Sequence, residues 1–292
     1  MFAIFFPKAE VLKSIADLIY QILLNFNHHL IQYESMKCLH ELIKTKNIPL
    51  NFQEILMNIV PIIINIIEKF NNPSIICPLI EFLNLLLEKT QFNCPQILAT
   101  AIQTPSFKKL IQNDSDLLRN AICEMFKSLV VSFNANELFS NILIVSIEFI
   151  DQSFQLNQHS QWKGKYEGGV LKLWLLILKE YNIENQNTLT LLRQLFQKYR
   201  NKILGWSQEN DMDLVVEILE ENLLMDFTPA NNDNYQWLVN FIEKKYEFTN
   251  QLSHPDSVLS LKISILSLLA SFILKLFNQN QNLDFKLFEV KF

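Results

Sequence analysis

The chain reads as all-α and, more narrowly, as a right-handed α-solenoid of HEAT-like helical hairpins. Three observations lead there. Amphipathic segments start near Leu30, Ile75, Ser115, Tyr166, Asp211 and Asp256, and each but the last is followed by a second helical segment. These starts recur about every 40 to 50 residues, the spacing at which HEAT and armadillo units repeat. Only four of the 292 residues are glycine, so a Rossmann sheet, a phosphate loop or a β-sandwich would lack residues for its positive-φ turns. Hydrophobic residues make up 49% and charged residues 19%, enough apolar side chain for a substantial core and too little charge for a disordered chain.

The pattern predicts one continuous array over residues 1–292, with approximate repeats 30–70, 75–112, 115–155, 166–203, 209–248 and 256–277. Residues 9–26 form a helix that is half of a preceding repeat, and 156–165 form a polar loop. In the first full repeat Phe52, Ile55, Leu56, Ile59, Ile63, Ile66, Ile67 and Phe70 stripe one helix face. Pro61 within that stripe is expected to kink the helix, because it removes an amide donor. Ile75, Ile76, Leu79, Ile80, Leu83, Leu86 and Leu87 stripe the next helix; Pro95 can start its partner and Pro105 should break that partner in two.

The segment 115–133 has the cleanest pattern. Leu117, Leu118, Ala121, Ile122, Met125, Phe126, Leu129, Val130 and Phe133 fall on one face, behind the cap candidates Asp114, Ser115 and Asp116. Its partner runs through Leu138, Phe139, Ile142, Leu143, Ile147, Ile150 and Phe154 after a short polar link at 134–136. From Val170 to Leu178 the apolar residues go nearly all round, as in a helix covered on both sides. The last segment, 258–277, is expected to be a core helix, since its charge-free run 263–274 is too short to span a bilayer.

Fully burying a Leu, Ile or Phe contributes roughly 1.5–3 kcal/mol, while ordering each residue costs about 1–2 kcal/mol in backbone entropy. A lone hairpin is therefore unstable, and neighbouring hairpins must cover its second face. Neither end carries an obvious polar capping repeat, which suggests a piece of a longer array. Stacking of this kind yields an elongated superhelix with a large binding surface, favouring macromolecular recognition over catalysis.

A net charge of −5 argues against a nucleic-acid partner and suits a basic protein partner. Cys38, Cys77, Cys94 and Cys123 show no CxxC spacing and read as free, mostly buried thiols in a reducing compartment. The apolar stretch 2–6 is too short for a secretory signal and has no basic residues before it. No membrane insertion is expected.

Candidate sites are few. His28, His29, Glu34, Cys38, His40 and Glu41 are metal-ligand types, but Cys38 and His40 would point about 200° apart on a helix, so no metal is expected. Glu209, Asp213, Glu217, Glu220 and Glu221 make an acidic stripe that could receive a basic partner or simply face solvent. Trp162 and Lys163 in the polar loop, with Lys165, could form an aromatic contact patch. Trp174 belongs to the core, and Tyr199, Arg200 and Lys202 suit a helix C-terminus. There is no glycine-rich phosphate loop, nucleophile elbow or HxE…CxxC set, so neither an enzyme nor a cofactor is expected.

The stretch from Asn113 to Ile122 and the segment from Tyr166 to Leu178 resemble the importin-β (karyopherin) superfamily, nearest the importin-eleven branch. Leu118, Arg119, Ala121 and Ile122 match a Leu-Arg-x-Ala-Ile helix start; Leu171, Leu173, Trp174 and Leu175 match a segment centred on Leu-Trp-Leu. Pro61 resembles a proline that recurs in second helices of such repeats, and the resemblance runs from about Leu30 to Tyr181. Gly168, Gly169 and Lys172 depart from it, standing where the family tends to have acidic residues. The resemblance implies a fragment of the C-terminal half of a nuclear transport receptor, which binds protein cargo and nucleoporins. Such a receptor shuttles between nucleus and cytoplasm through the pores of the nuclear envelope. Control by the small GTPase Ran would act mainly through N-terminal repeats absent here. The alternative is a HEAT-repeat structural scaffold subunit of a non-transport complex.

Overall fold

The computed structural model describes residues 9–25, 28–44, 50–69, 72–89, 102–113, 115–133, 139–156, 167–180, 186–204, 211–226 and 232–278. Among these residues there are twelve helices and no strand, so the all-α expectation holds. The chain divides into two compact units, Met1–Leu156 and Asn157–Phe292.

The first unit contains α1 (Ala9–Asn25), α2 (His29–Lys44), α3 (Leu50–Lys69), α4 (Pro73–Lys89), α5 (Pro105–Ile111), α6 (Asp116–Phe133) and α7 (Phe139–Leu156). Its main packed pairs are close in sequence. Helices α2, α4 and α6 pack each against the next, and α1 packs against α3; α1–α2, α3–α4 and α6–α7 are the other main pairs. The core between α3 and α4 is built from Ile59, Ile63, Ile66 and Ile67 on one side and Ile76, Leu79, Ile80, Leu83 and Leu86 on the other, all buried. Helix α3 continues through Pro61 without interruption, with the proline on its exposed side.

Pro105 starts a helix rather than merely breaking one. Its missing amide costs nothing at the first helical position, and Thr104 caps the turn by accepting from the Phe107 amide at 3.3 Å. The piece expected to start at Pro95 lies outside the described residues. Phe107 of α5, Phe126 of α6 and Phe149 of α7 form a buried ring ladder, with centroids 6.4 and 5.4 Å apart. Most of the α6 stripe is buried as the sequence predicts. Among the described side chains of that stripe Leu117 is the exception at 68% exposed, because it lies on the outer edge of the face that meets α4.

The second unit contains α8 (Glu167–Glu180), α9 (Gln186–Leu204), α10 (Met212–Asp226), α11 (Asn232–Thr249) and α12 (Pro255–Asn278). Helix α10 packs against both α8 and α12, and α11 packs against α12. Phe196 of α9 meets Trp237 of α11 edge-to-face at 5.7 Å, and Trp237 stacks on Phe241. In α8, Val170, Leu171, Leu173, Trp174, Leu175, Ile177 and Leu178 are all buried, as their all-round pattern requires.

Helix α12 is not the core helix its composition suggested. Its window Pro255–Leu274 has mean hydropathy 2.1 and is long and apolar enough to cross a bilayer, yet only 22% of it is buried. The physical reason is an inner stripe of four residues, Leu261, Ile265, Leu268 and Phe272, that meets α10 and α11. Leu259, Ile263, Leu266 and Leu274 lie opposite and are 57–63% exposed.

The six segment starts read from the sequence fall within two residues of the starts of α2, α4, α6, α8, α10 and α12. These are the helices that pack next-but-one: α2–α4–α6 in one unit and α8–α10–α12 in the other.

Candidate functional site

The acidic stripe lies on α10 between two neighbours, so its spacing shows which helix each carboxylate reaches. Glu217 accepts from Lys179 Nζ of α8 at 2.9 Å. One helical turn toward the N-terminus, Asp213 turns to α12 and accepts from Ser260 Oγ at 2.8 Å and Ser264 Oγ at 3.1 Å. Glu220 accepts from Ser267 Oγ at 3.3 Å and also from Ser271 Oγ. The serines recur at 260, 264, 267 and 271, a helical stripe matched to the acids opposite.

Lys179 is held above the usual lysine range, chiefly by its hydrogen bond to Glu217. Glu221 is raised, first by burial and then by the neighbouring Glu220 and Glu217 charges. Three of the five stripe carboxylates are thus engaged in holding α10 to α8 and α12. Glu209, Trp162 and Lys163 lie outside the described residues.

The matched helix start at Leu118–Ile122 has a structural explanation. Arg119, 4% exposed, donates from Nη1 to the carbonyls of Ile111 at 2.9 Å and Asn113 at 3.0 Å. Its Nη2 reaches Ser153 Oγ on α7, and the guanidinium lies 4.9 Å from the centre of the Phe149 ring. One fork therefore ties the end of α5 to α6 and α7. Such geometry suits the planar, multi-donor guanidinium and not lysine.

The histidine cluster disperses. His40 packs edge-on against the buried Phe82 of α4 at 5.8 Å, with Nδ1 3.6 Å from Glu41. Cys38 is exposed, while Cys77 and Cys123 are buried and burial pushes their thiols up to about 11 and about 12. Among the described residues no group of three or more His, Cys, Asp or Glu is placed to hold a metal ion.

The sequence reading missed a groove between α4 and α6, with a cavity volume of about 510 Å³. Ser74, Cys77, Pro78, Glu81 and Asn84 line it from α4; Leu117, Asn120, Ala121 and Glu124 line it from α6. On each helix these residues fall at successive i+3 and i+4 steps, so each contributes one continuous edge. Cys77 and Ala121 are buried in the floor, while Glu81, Glu124 and the side chain of Leu117 stand exposed at the rim. Glu124 is also 2.5 Å from Lys127. Asn84 Oδ1 is screened from water and accepts no hydrogen bond. Pro78 has no amide to donate to the Ser74 carbonyl one turn back, so that acceptor too loses its helical partner.

No protein-family model and no curated protein matches this chain.

Proposed function

We propose that the chain is a protein-binding scaffold, a right-handed α-solenoid of HEAT-like hairpins that forms part of an importin-β-like nuclear transport receptor. The observation that carries this reading is the sequence-local packing. Among the described helices the main contacts join elements one or two positions apart, and the next-but-one contacts follow the rhythm of about 40 to 50 residues. Contacts of that kind suit a stack, in which each hairpin covers the flank of its neighbour. The residues that carry the family resemblance support the stacking part of the reading: Leu118, Ala121, Ile122, Leu171, Leu173, Trp174 and Leu175 are buried and Arg119 joins three helices.

In a receptor of this type the chain binds protein cargo and contributes an elastic body. Small rotations between hairpins add up to a large change in pitch when GTP-bound Ran engages the whole molecule. Tagging the protein at its own chromosomal locus, so that any flanking chain is included, tests this. Bound proteins are recovered with Ran locked in its GTP form or loaded with GDP. The receptor reading expects cargo to be released by the GTP form alone. An unchanged set of partners in both conditions rejects it and favours a structural scaffold.

A further inference from the structure

We propose that the groove between α4 and α6 binds a short cationic peptide segment with apolar residues beside its charge. The inference rests on the scaffold part of the proposed function and names the ligand class for one site on it. The rim carries Glu81 and Glu124, the latter paired with Lys127 on the same helix, and the lining itself contains neither lysine nor arginine. Pro78 withdraws the helical donor from the Ser74 carbonyl on the same edge. Glu81 and Glu124 therefore set the charge of the rim, beside the neutral side chains of Ser74, Asn84 and Asn120.

Between them the surface is apolar. Leu117 projects at the rim, 68% exposed, and Pro78, Ala121 and the Cys77 side chain make up the rest of the apolar lining. The Cys77 thiol stays protonated near neutrality because burial holds it up, with Glu81 adding to the effect, so the floor carries no charge. A guanidinium or ammonium meets the carboxylates, and its methylene stem or an adjacent leucine covers Leu117 and Pro78. Charge complementarity selects this occupant over an acidic peptide or a phosphate, which the two glutamates repel. From Ser74 to Asn84 the α4 edge rises about 15 Å at 1.5 Å per residue. An extended peptide of about four or five residues, at roughly 3.3 Å each, fills that length.

The test is fluorescence anisotropy of the intact protein with a fluorescein-labelled Ala-Arg-Leu-Lys-Leu-Ala peptide. Saturable binding that weakens with salt is expected for the unaltered protein. Replacing both rim acids, Glu81→Gln with Glu124→Gln, should weaken it at least tenfold. The control pair Glu68→Gln with Glu88→Gln removes the same net charge from exposed positions outside the groove and should change it less than twofold. Leu117→Lys alters only an exposed side chain, so the fold persists by circular dichroism, and it should also weaken binding at least tenfold. No saturable binding, or equal losses in the groove and control pairs, overturns the proposal. Peptide binding without any Ran dependence of cargo leaves the groove standing and removes only the transport reading.

Discussion

Lys245 offers a direct measure of what burial costs a charge in this protein. It lies on α11, is 2% exposed, and its pKa is lowered from 10.5 to about 8, first by burial and then by the adjacent Lys244 charge. The Phe241 ring, 5.4 Å from Nζ, is a favourable contact for the ammonium but does not offset the burial. The unfolded chain keeps its proton up to about pH 10.5, while the folded chain gives it up near pH 8. Between those values the unfolded state binds more protons, so stability rises with pH; below about pH 8 the cost is at its full value. At 1.36 kcal/mol per pH unit that cost is about 3 kcal/mol. Lys245→Met keeps an unbranched stem of similar length without the charge. Urea unfolding at pH 7 should show the variant more stable by about 3 kcal/mol, and at pH 9.5 by only about 1 kcal/mol. Titrating groups that do not interact with Lys245 are common to both proteins and cancel in the difference. A gap that stays constant between the two pH values, or a less stable variant, would refute the assignment of the cost to a buried ammonium.

Further expectations follow from single contacts. Arg119→Lys should destabilise the first unit by about 3 kcal/mol in chemical unfolding, because one ammonium cannot satisfy the carbonyls of Ile111 and Asn113 and also Ser153. A double-mutant cycle of Asp213→Asn and Ser264→Ala should give a coupling of about 0.5 kcal/mol, small because the bond is exposed and nonzero because it joins α10 to α12. Ile263→Gln on the outer face of α12, where the side chain is 57% exposed, should leave stability within about 0.5 kcal/mol in thermal unfolding.

Helix positions were legible because the information is local. The stripe from Leu118 to Val130 repeats at helical spacing, and α6 forms where it does. Pro105 was read correctly as a boundary, but its sign was missed: with Thr104 ahead of it the same proline starts α5. The segment at 258–277 was misread because composition reports how apolar a helix is, not how many neighbours it has. Leu261 and Leu259 are the same residue type two positions apart, and α10 and α11 cover only the first. The acidic stripe had the same ambiguity. Asp213 and Glu220 look solvated until Ser260, Ser264, Ser267 and Ser271 are brought opposite them, and that matching serine stripe was the signal available in the sequence. The groove could not be seen from either helix by itself. Glu81 and Glu124 are separated by an intervening helix, α5, and only the packing of α4 on α6 makes them two rims of one cleft.

In the proposed stack each hairpin depends on its sequence neighbours and on little else. Dissection at the boundary between Leu156 and Asn157 tests it most directly, by expressing Met1–Leu156 and Asn157–Phe292 as separate chains. A stack whose stability is a sum of nearest-neighbour terms expects both pieces to be helical by circular dichroism, to unfold cooperatively, and to add up to the spectrum of the whole chain. A piece that is unfolded alone and gains its structure only on mixing with the other would rule out the proposed stack.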